Sequence, residues 1–555
     1  MRWSLFWLLP LALPAQPTPD STAHAAARTA RLEGQVLSQA GEPLRKATVR
    51  LKPYYADRSS NISYTDITDG AGKFVLEEVL PGRYTLSAER TGFLTQNYGA
   101  RGATNSSPGS VLTLAAGESM KDLDFKLIPP GVIAGRVTDA DGDPMPGLQV
   151  FATQTVRARG QRGLVPKGSA QTDDQGSFRI ANLSPGPYYV SADDSESRVR
   201  EQDNMVHPGR VLSRASNVKT YYPDSIDAAG ATSLQVVAGS ELHGIDIRMR
   251  RERVFSIRGL TIDAATGKPA KTDLRADLKG ALHYGFDTAW ETSSREDGTF
   301  ELRNLLPGEY VLLASTNNRA DPAYGREEVS ISDSDIAGVK VTLEYGVTVT
   351  GTVKLEGGSP AGRLSIFLSD LEGANGHSSS GQTKDDGTFE LHGIALGKYA
   401  VHLQELPEGV YVKSIRLGQQ DITRTLLDLT SGASGTLDIL LSTRAAQVSG
   451  TVKNKDGAAM TGVEVTLWPK QALSKSVYRG STDQNGDFRI AGLAPGDYYM
   501  NAWEDLDPYL SFDLEFLKRF ASPETTITLE EGEHQIAQPN LISREAAAAE
   551  AAKLP

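Results

Sequence analysis

The chain has no cysteine in its 555 residues. That excludes disulfides, thiolate metal sites, a cysteine nucleophile and a cysteine lipid anchor. Stability must come from packed cores alone. Histidines number eight and are scattered. No Walker A sequence, no Gly-x-Ser-x-Gly elbow and no His-Glu-x-x-His occurs, which removes the usual signatures of nucleotide, ester and zinc-dependent hydrolysis. Concentrated positive charge is missing too. The net charge is −12, and no Lys/Arg cluster looks like the basic face of a nucleic-acid binder, so no nucleic-acid partner is expected. The acidic balance is spread along the chain and reads as solubility.

Long apolar runs are confined to the start. Arg2 precedes an apolar run from Trp3 to Leu13, then Pro14-Ala15-Gln16. This reads as a secretory leader cut near Ala15. A buried N-terminal helix is the alternative, but Pro17 to Arg31 is polar and Ala-rich and offers it nothing to pack on. No later segment is long and apolar enough to span a bilayer as a helix. The expectation is an exported chain, periplasmic or extracellular. Export without cysteines fits a bacterial source.

What the chain does have is punctuation: 54 glycines and 28 prolines among Val-, Leu- and Thr-rich runs. That favours an all-β protein. One stretch organises it, from Asp69 to Ala88. It reads as turn, strand, turn, strand, with Phe74 and Leu76 on one face of the first strand and Tyr84, Leu86 and Ala88 on one face of the second. The unit recurs. Its first half is Gly72-Lys-Phe74, Gly176-Ser-Phe178, Gly298-Thr-Phe300, Gly387-Thr-Phe389 and Gly486-Asp-Phe488. Its second half is Gly82-Arg-Tyr84, Gly186-Pro-Tyr188, Gly308-Glu-Tyr310, Gly397-Lys-Tyr399 and Gly496-Asp-Tyr498. The Phe-to-Tyr step is 10 residues each time. A constant step in varying sequence means one geometry rebuilt, which we read as a hairpin. Its Phe and Tyr positions are assigned to the core, with each tyrosine hydroxyl reaching a carbonyl at the sheet end.

The Phe positions lie 104, 122, 89 and 99 residues apart, which is domain-sized spacing rather than that of a solenoid. The expected division is a leader at 1–15, a linker at 16–31, and five β-sandwich repeats at 32–129, 130–252, 253–345, 346–444 and 445–542. An Ala-rich tail follows at 543–555, too short to hold a stable helix by itself. In the second repeat, Thr155 to Ala170 and Asp193 to Thr220 are insertions, expected to be exposed loops. Short linkers suggest a curved string of domains.

The order Gly-x-Val, Asp-Gly-x-Pro, x-Val-x-Leu, Thr-Asp-x-x-Gly-x-Phe, Leu-x-Pro-Gly-x-Tyr resembles the carboxypeptidase regulatory-like domain. The second repeat carries it most fully, in Gly135-Arg-Val137, Asp141-Gly-Asp-Pro144, Val150, Thr172 to Phe178 and Leu183 to Tyr188. The resemblance covers residues 32 to 542 in five copies. It implies five tandem transthyretin-like β-sandwiches, close to carbohydrate-binding folds, in a secreted and non-catalytic protein. Fold alone does not assign the ligand.

Site candidates are few. A second tyrosine follows the Tyr strand in each repeat: Tyr98, Tyr222, Tyr324, Tyr411 and Tyr509. Packing under a loop is one reading. The other is a row of exposed rings that stack on sugar faces, joined by Trp290, Trp468 and above all Trp503. His402-Leu-Gln-Glu405 with His534 gives a minor zinc-hydrolase alternative. The alternation of Tyr399, Val401 and Leu403 places His402 on the outer face of its strand, and His534 lies in another repeat. Asp139-Ala-Asp-Gly-Asp143 has the flavour of a calcium loop, but Pro144 stands where that loop needs glycine, so an acidic turn is expected. No catalytic residue, metal or cofactor is assigned. The expected role is binding or scaffolding. A polysaccharide or cell-envelope polymer or protein is the leading partner, and a purely structural spacer is the alternative.

Overall fold

The computed structural model describes residues 29–54, 62–101, 109–158, 161–194, 215–279, 290–318, 321–370, 378–433, 435–471 and 477–554. The leader at 1–15 and most of the linker lie outside them. In the first repeat the strands are β1 (Ala30–Ser38), β2 (Thr48–Pro53), β3 (Tyr64–Ile67), β4 (Lys73–Val79), β5 (Gly82–Glu89), β6 (Gln96–Asn97), β7 (Val111–Leu114), β8 (Ser119–Met120) and β9 (Phe125–Leu127). One sheet has the order β4-β1-β8, with β9 also parallel to β1. The other has the order β3-β2-β5-β6, with β7 on β5. Alternation sets what lies between them: Ala47, Val49 and Leu51 of the β2 region are buried while Arg50 is exposed, as a half-buried strand requires.

The Phe and Tyr strands are therefore not a hairpin. β4 pairs with β1, and β5 pairs with β2. The turn between them is a corner that carries the chain from one sheet to the other. Phe74 and Tyr84 thus face each other across the core. All five phenylalanines and all five tyrosines are buried. Each tyrosine hydroxyl donates to the carbonyl four residues earlier: Tyr84 to Leu80 at 2.9 Å, Tyr188 to Ser184 at 2.9 Å, Tyr310 to Leu306 at 2.8 Å, Tyr399 to Ala395 at 2.6 Å and Tyr498 to Ala494 at 2.6 Å. Burial pushes the phenols of Tyr188 and Tyr310 up to about 12, against the smaller opposing effect of that hydrogen bond.

Two more devices recur. Just before the corner the Phe strand carries a bulge, where two residues oppose one on the first strand. Its second residue is left-handed in every repeat: Glu78 (φ 57°), Asn182 (59°), Asn304 (60°), Gly393 (62°) and Gly492 (76°). The bulge shifts the inward phase by one, so Val79, Leu183, Leu305, Ile394 and Leu493 all enter the core. The other device is close approach. A Cβ at Gly34 would fall far inside contact distance of the Leu123 carbonyl oxygen, and Gly135, Gly259, Gly351 and Gly450 meet Ile245, Val339, Leu437 and Ala537 in the same way. The glycine of Gly-x-Val lets the returning segment lie against the first strand.

Repeats four and five likewise have two sheets, and repeat two has a third, two-stranded one that pairs Ala215–Val218, the end of the second expected loop, with Arg250–Arg253. In repeat three the strand Ala323–Ile331 pairs with Gly308–Ser315 on one side and Ile336–Tyr345 on the other, joining seven strands into one continuous sheet. Five core clusters span Ala30 to Leu127, Ile133 to Met249, Phe255 to Leu343, Val349 to Leu441 and Ala446 to Leu529.

A sixth cluster was not foreseen. The short helix α1 (Leu514–Lys518) and the tail helix α2 (Arg544–Ala552) cover the outer face of the fifth sandwich. Trp468, Trp503, Phe516, Leu517, Ala547 and Leu554 pack together there. The tail does not stand alone. Ser543 caps α2 by accepting the Ala546 N–H, and burial of Ala547 anchors it.

This cap also corrects the expected string. The Thr155-to-Ala170 insertion is not a loop; it is the hairpin of Gln149–Ala158 and Gln161–Gln171. Its Arg157 pairs with Asp513 at 3.1 Å, both nearly fully buried, and with Glu515 at 2.8 Å. Arg162 donates to the Leu554 carbonyl at 2.7 Å. Repeat five reaches repeat one as well. Gln484 and the backbone of Thr113 exchange two hydrogen bonds, of 3.1 and 2.9 Å. Ser481 donates to the Gly109 carbonyl at 2.7 Å, and Arg101 Nε to the Thr461 carbonyl at 3.3 Å. The array folds back on itself.

Gly34→Ala is expected to cost about 1–3 kcal/mol through overpacking, while Gly70→Ala, with nothing near its Cβ position, stays within about 0.5 kcal/mol. Chemical denaturation of both variants, with hydrogen exchange reporting the first repeat, checks this. Equal stability would remove the close-approach explanation.

Candidate functional site

The recurring second tyrosine follows the Tyr strand at the sandwich edge, where other repeats sit. Tyr324 is half-buried, and its hydroxyl donates to the Gly393 carbonyl of repeat four at 2.9 Å. Tyr411 is buried, and its hydroxyl donates to Glu531 of repeat five at 2.9 Å. The Tyr509 ring lies under the ammonium of Lys167 of repeat two, 5.1 Å from its centroid. These three residues span junctions between repeats. Tyr98 stays within its own repeat, edge-on to Phe125 with centroids 5.9 Å apart. Tyr222 packs partly buried on the second core.

The tryptophans are not exposed platforms either. Trp503 is 1% exposed. It sits between Phe516 and Phe520, at 5.5 and 5.0 Å, and its indole N–H donates to the Thr466 hydroxyl at 2.7 Å. Trp468 is equally buried. Trp290 is half-buried, edge-on to Tyr310, and donates to the Asn304 carbonyl at 3.2 Å. Trp503 is therefore corrected from the foremost exposed ring to a core residue, and Tyr411 from an exposed ring to a buried clasp. The reason is the cap and the neighbouring repeats, which cover positions that one sandwich alone would leave open.

Repeats four and five meet around Glu531. Its carboxylate accepts from Tyr411, from the Ser442 hydroxyl at 2.9 Å, from Lys413 at 3.3 Å and from Arg444. The hydrogen bonds from Ser442 and then Tyr411 hold it below the usual carboxylate range.

Beside this hub a cleft of about 670 Å³ opens between the two repeats. His402, Tyr411 and Arg424 line it from repeat four, and Lys470, Tyr478 and Asp497 from repeat five. Aliphatic side chains, among them Val401, Leu403 and Val477, complete the walls. Val401 and Leu403 pack on the fourth core, so His402 is on the opposite face of its strand as alternation requires, and there it is half-buried and lines the cleft. His534 is exposed on the strand His534–Ile536. Among the described residues no three His, Asp or Glu side chains converge in a way that could hold a metal ion. The Asp139 turn closes on itself, its carboxylate accepting from the Asp141 and Asp143 N–H groups at 2.9 Å each.

Comparison with known proteins agrees with the motif order. Residues 31–127, 132–218 and 447–505 each match the carboxypeptidase regulatory-like domain. Three stretches of the chain carry this repeat. It is similar to Colossin-A of Dictyostelium discoideum, 21% identical over 500 residues, covering 80% of this chain and 4% of that one. It is also similar to the human BOS complex subunit NOMO2, 25% identical over 345 residues, covering 60% of this chain and 24% of that one. It therefore spans a quarter or less of the length of these relatives. Among solved structures, the minor pilin GBS52 of Streptococcus agalactiae aligns over 40% of this chain and 97% of its own, at 13% identity and a TM-score of 0.23. The Bacillus anthracis TIE protein aligns over 74% and 73%, at 11% identity and a TM-score of 0.15. Among the described residues no helix is long and apolar enough to cross a membrane.

The Glu531 hub sets an acid limit on the junction. Its folded pKa lies below the ordinary 4.5, so its contribution is complete above that value and fades as pH falls through the lower folded pKa. Between pH 6 and 3, hydrogen-exchange protection relative to the intrinsic rate should fall in the strand Tyr411–Leu417 before the separate cores open. Glu531→Gln should show low protection at pH 6 already and lose the acid step. An acid step that survives in Glu531→Gln would assign it elsewhere.

Proposed function

We propose that this chain works outside the cytoplasm as a non-catalytic scaffold, a closed platform of regulatory-like repeats that holds a partner in fixed geometry. The observation that carries the reading is the fold-back, in which repeat five bonds to repeats one, two and four at once. A bare spacer needs only end-to-end links. Here buried charge is spent on a long-range lock, and the second tyrosines of repeats three, four and five are spent on clasping neighbours. Rings used in this way are unavailable as a row of stacking platforms, which moves weight from polymer capture along the whole array toward scaffolding. The N-terminal apolar run supports export. The NOMO relatives are by name subunits of a complex, in keeping with a role in assembly.

The lock makes the proposal testable in solution. Small-angle X-ray scattering of the full chain should give the radius of gyration of the closed arrangement. Arg157→Met leaves Asp513 buried without its cation, a change that typically costs about 3–5 kcal/mol. It should enlarge the particle while the five cores stay folded by circular dichroism. A wild-type profile already as long as a string of sandwiches would sink the closed-platform reading.

A further inference from the structure

The cleft between repeats four and five has a chemistry that the scaffold reading does not use. Its volume, about 670 Å³, lies within the range of small-ligand sites. Arg424 and Lys470 stand on opposite walls, one from each repeat. Both are exposed, and Arg424 reaches across to the Gln471 side-chain oxygen at 3.2 Å. That single bond leaves most of the guanidinium donors for a ligand.

Tyr478 supplies the second observation. Its ring sits edge-on to Tyr498, with centroids 6.2 Å apart and planes at 69°. The same pair recurs in repeat one as Tyr64 on Tyr84, at 6.1 Å and 71°, and in repeat three as Trp290 on Tyr310, at 5.5 Å and 82°. In those repeats the polar tip is satisfied by the corner: Tyr64 accepts from the Leu80 N–H at 3.1 Å, and Trp290 donates to the Asn304 carbonyl. The Tyr478 hydroxyl makes no hydrogen bond within the described residues, although it lines the cleft. A half-buried phenol wants a partner.

We propose that this cleft binds an acidic saccharide, a chain of hydroxylated rings carrying about one carboxylate each. Arg424 and Lys470 take the carboxylate. Tyr478 and His402 meet ring hydroxyls, and Val401, Leu403 and Val477 cover the apolar ring faces. Asp497 accepts from further hydroxyls, and its charge disfavours ligands dense in negative charge such as nucleic acid. A lipid tail would bring no acceptor to the two cations and no donor to Asp497, whose other partner is the Thr528 hydroxyl at 2.6 Å.

The test uses the full chain with tetragalacturonate as probe, cellotetraose as its neutral counterpart and hexaglutamate as an acidic peptide, each followed by calorimetry. Tetragalacturonate should bind saturably and about tenfold or more tighter than cellotetraose, as expected for charge-assisted hydrogen bonds. Lys470→Gln should weaken it by about tenfold, and Tyr478→Phe, which keeps the ring, by a few-fold. Neither should alter the scattering profile, so failure of this proposal is distinguishable from failure of the closed platform. Arg424→Gln should weaken binding similarly; it also removes the bond to Gln471, and Lys470→Gln removes the contact of its ammonium with the Tyr499 ring, 5.6 Å from the centroid, so agreement of the two variants is decisive. Equal affinity for cellotetraose, indifference to Lys470→Gln, tighter binding of hexaglutamate, or no binding of tetragalacturonate at millimolar concentration would each overturn the proposal.

Discussion

A tyrosine hydroxyl buried in a β-sandwich must find an acceptor, and in each repeat it finds the carbonyl four residues back. That one bond constrains everything near it. The acceptor must sit at the corner between sheets, where a carbonyl has no strand to pair with. The residue before the acceptor must enter the core, so the bulge must precede it by one position, and the phenylalanine must lie far enough back to start the strand. The ten-residue step is the sum of these requirements. It persists while the intervening residues vary, because the cost of an unmade buried hydrogen bond falls on geometry rather than on particular side chains.

Much of this was legible in the sequence. The Phe and Tyr positions, their burial, the tyrosine-to-carbonyl bond and the all-β class follow from alternation and turn residues, which are local signals. Sheet membership was not legible. Alternation shows that Phe74 and Tyr84 point inward, but a corner and a hairpin have the same alternation, and the true partners of β4 lie some forty residues upstream. The bulge was hidden for a similar reason: Glu78 and Asn182 are ordinary residue types held in a left-handed conformation by their surroundings.

The site was less legible than the fold. Tyr324, Tyr411 and Tyr509 stood out as a recurring feature, yet what they touch lies in other repeats. Arg157 lay in an insertion expected to be an exposed loop, and its partner Asp513 stands 356 positions later. Trp503 drew attention by its place near Tyr509. The residues that bury it, Phe516 and Phe520, belong to a helical cap whose short helices carry little periodic signal. Only the tail helix α2 had a visible local preference, and its anchoring depended on the same cap.

The fold-back has a consequence for the order of events as the chain is made. Repeats one to four each own a complete core and can condense as they appear. The lock belongs to repeat five and the tail helix after it, which are synthesised after the first four repeats. Closing so long a loop costs little more than closing a short one, because the entropy grows only with the logarithm of length. Closure is therefore limited by waiting, not by distance. Until that segment arrives, Arg157 must remain hydrated on an unclosed hairpin, and a chain cut short before Asp513 would keep the clasp of Tyr324 between repeats three and four but lose the lock that ties repeat two to repeat five.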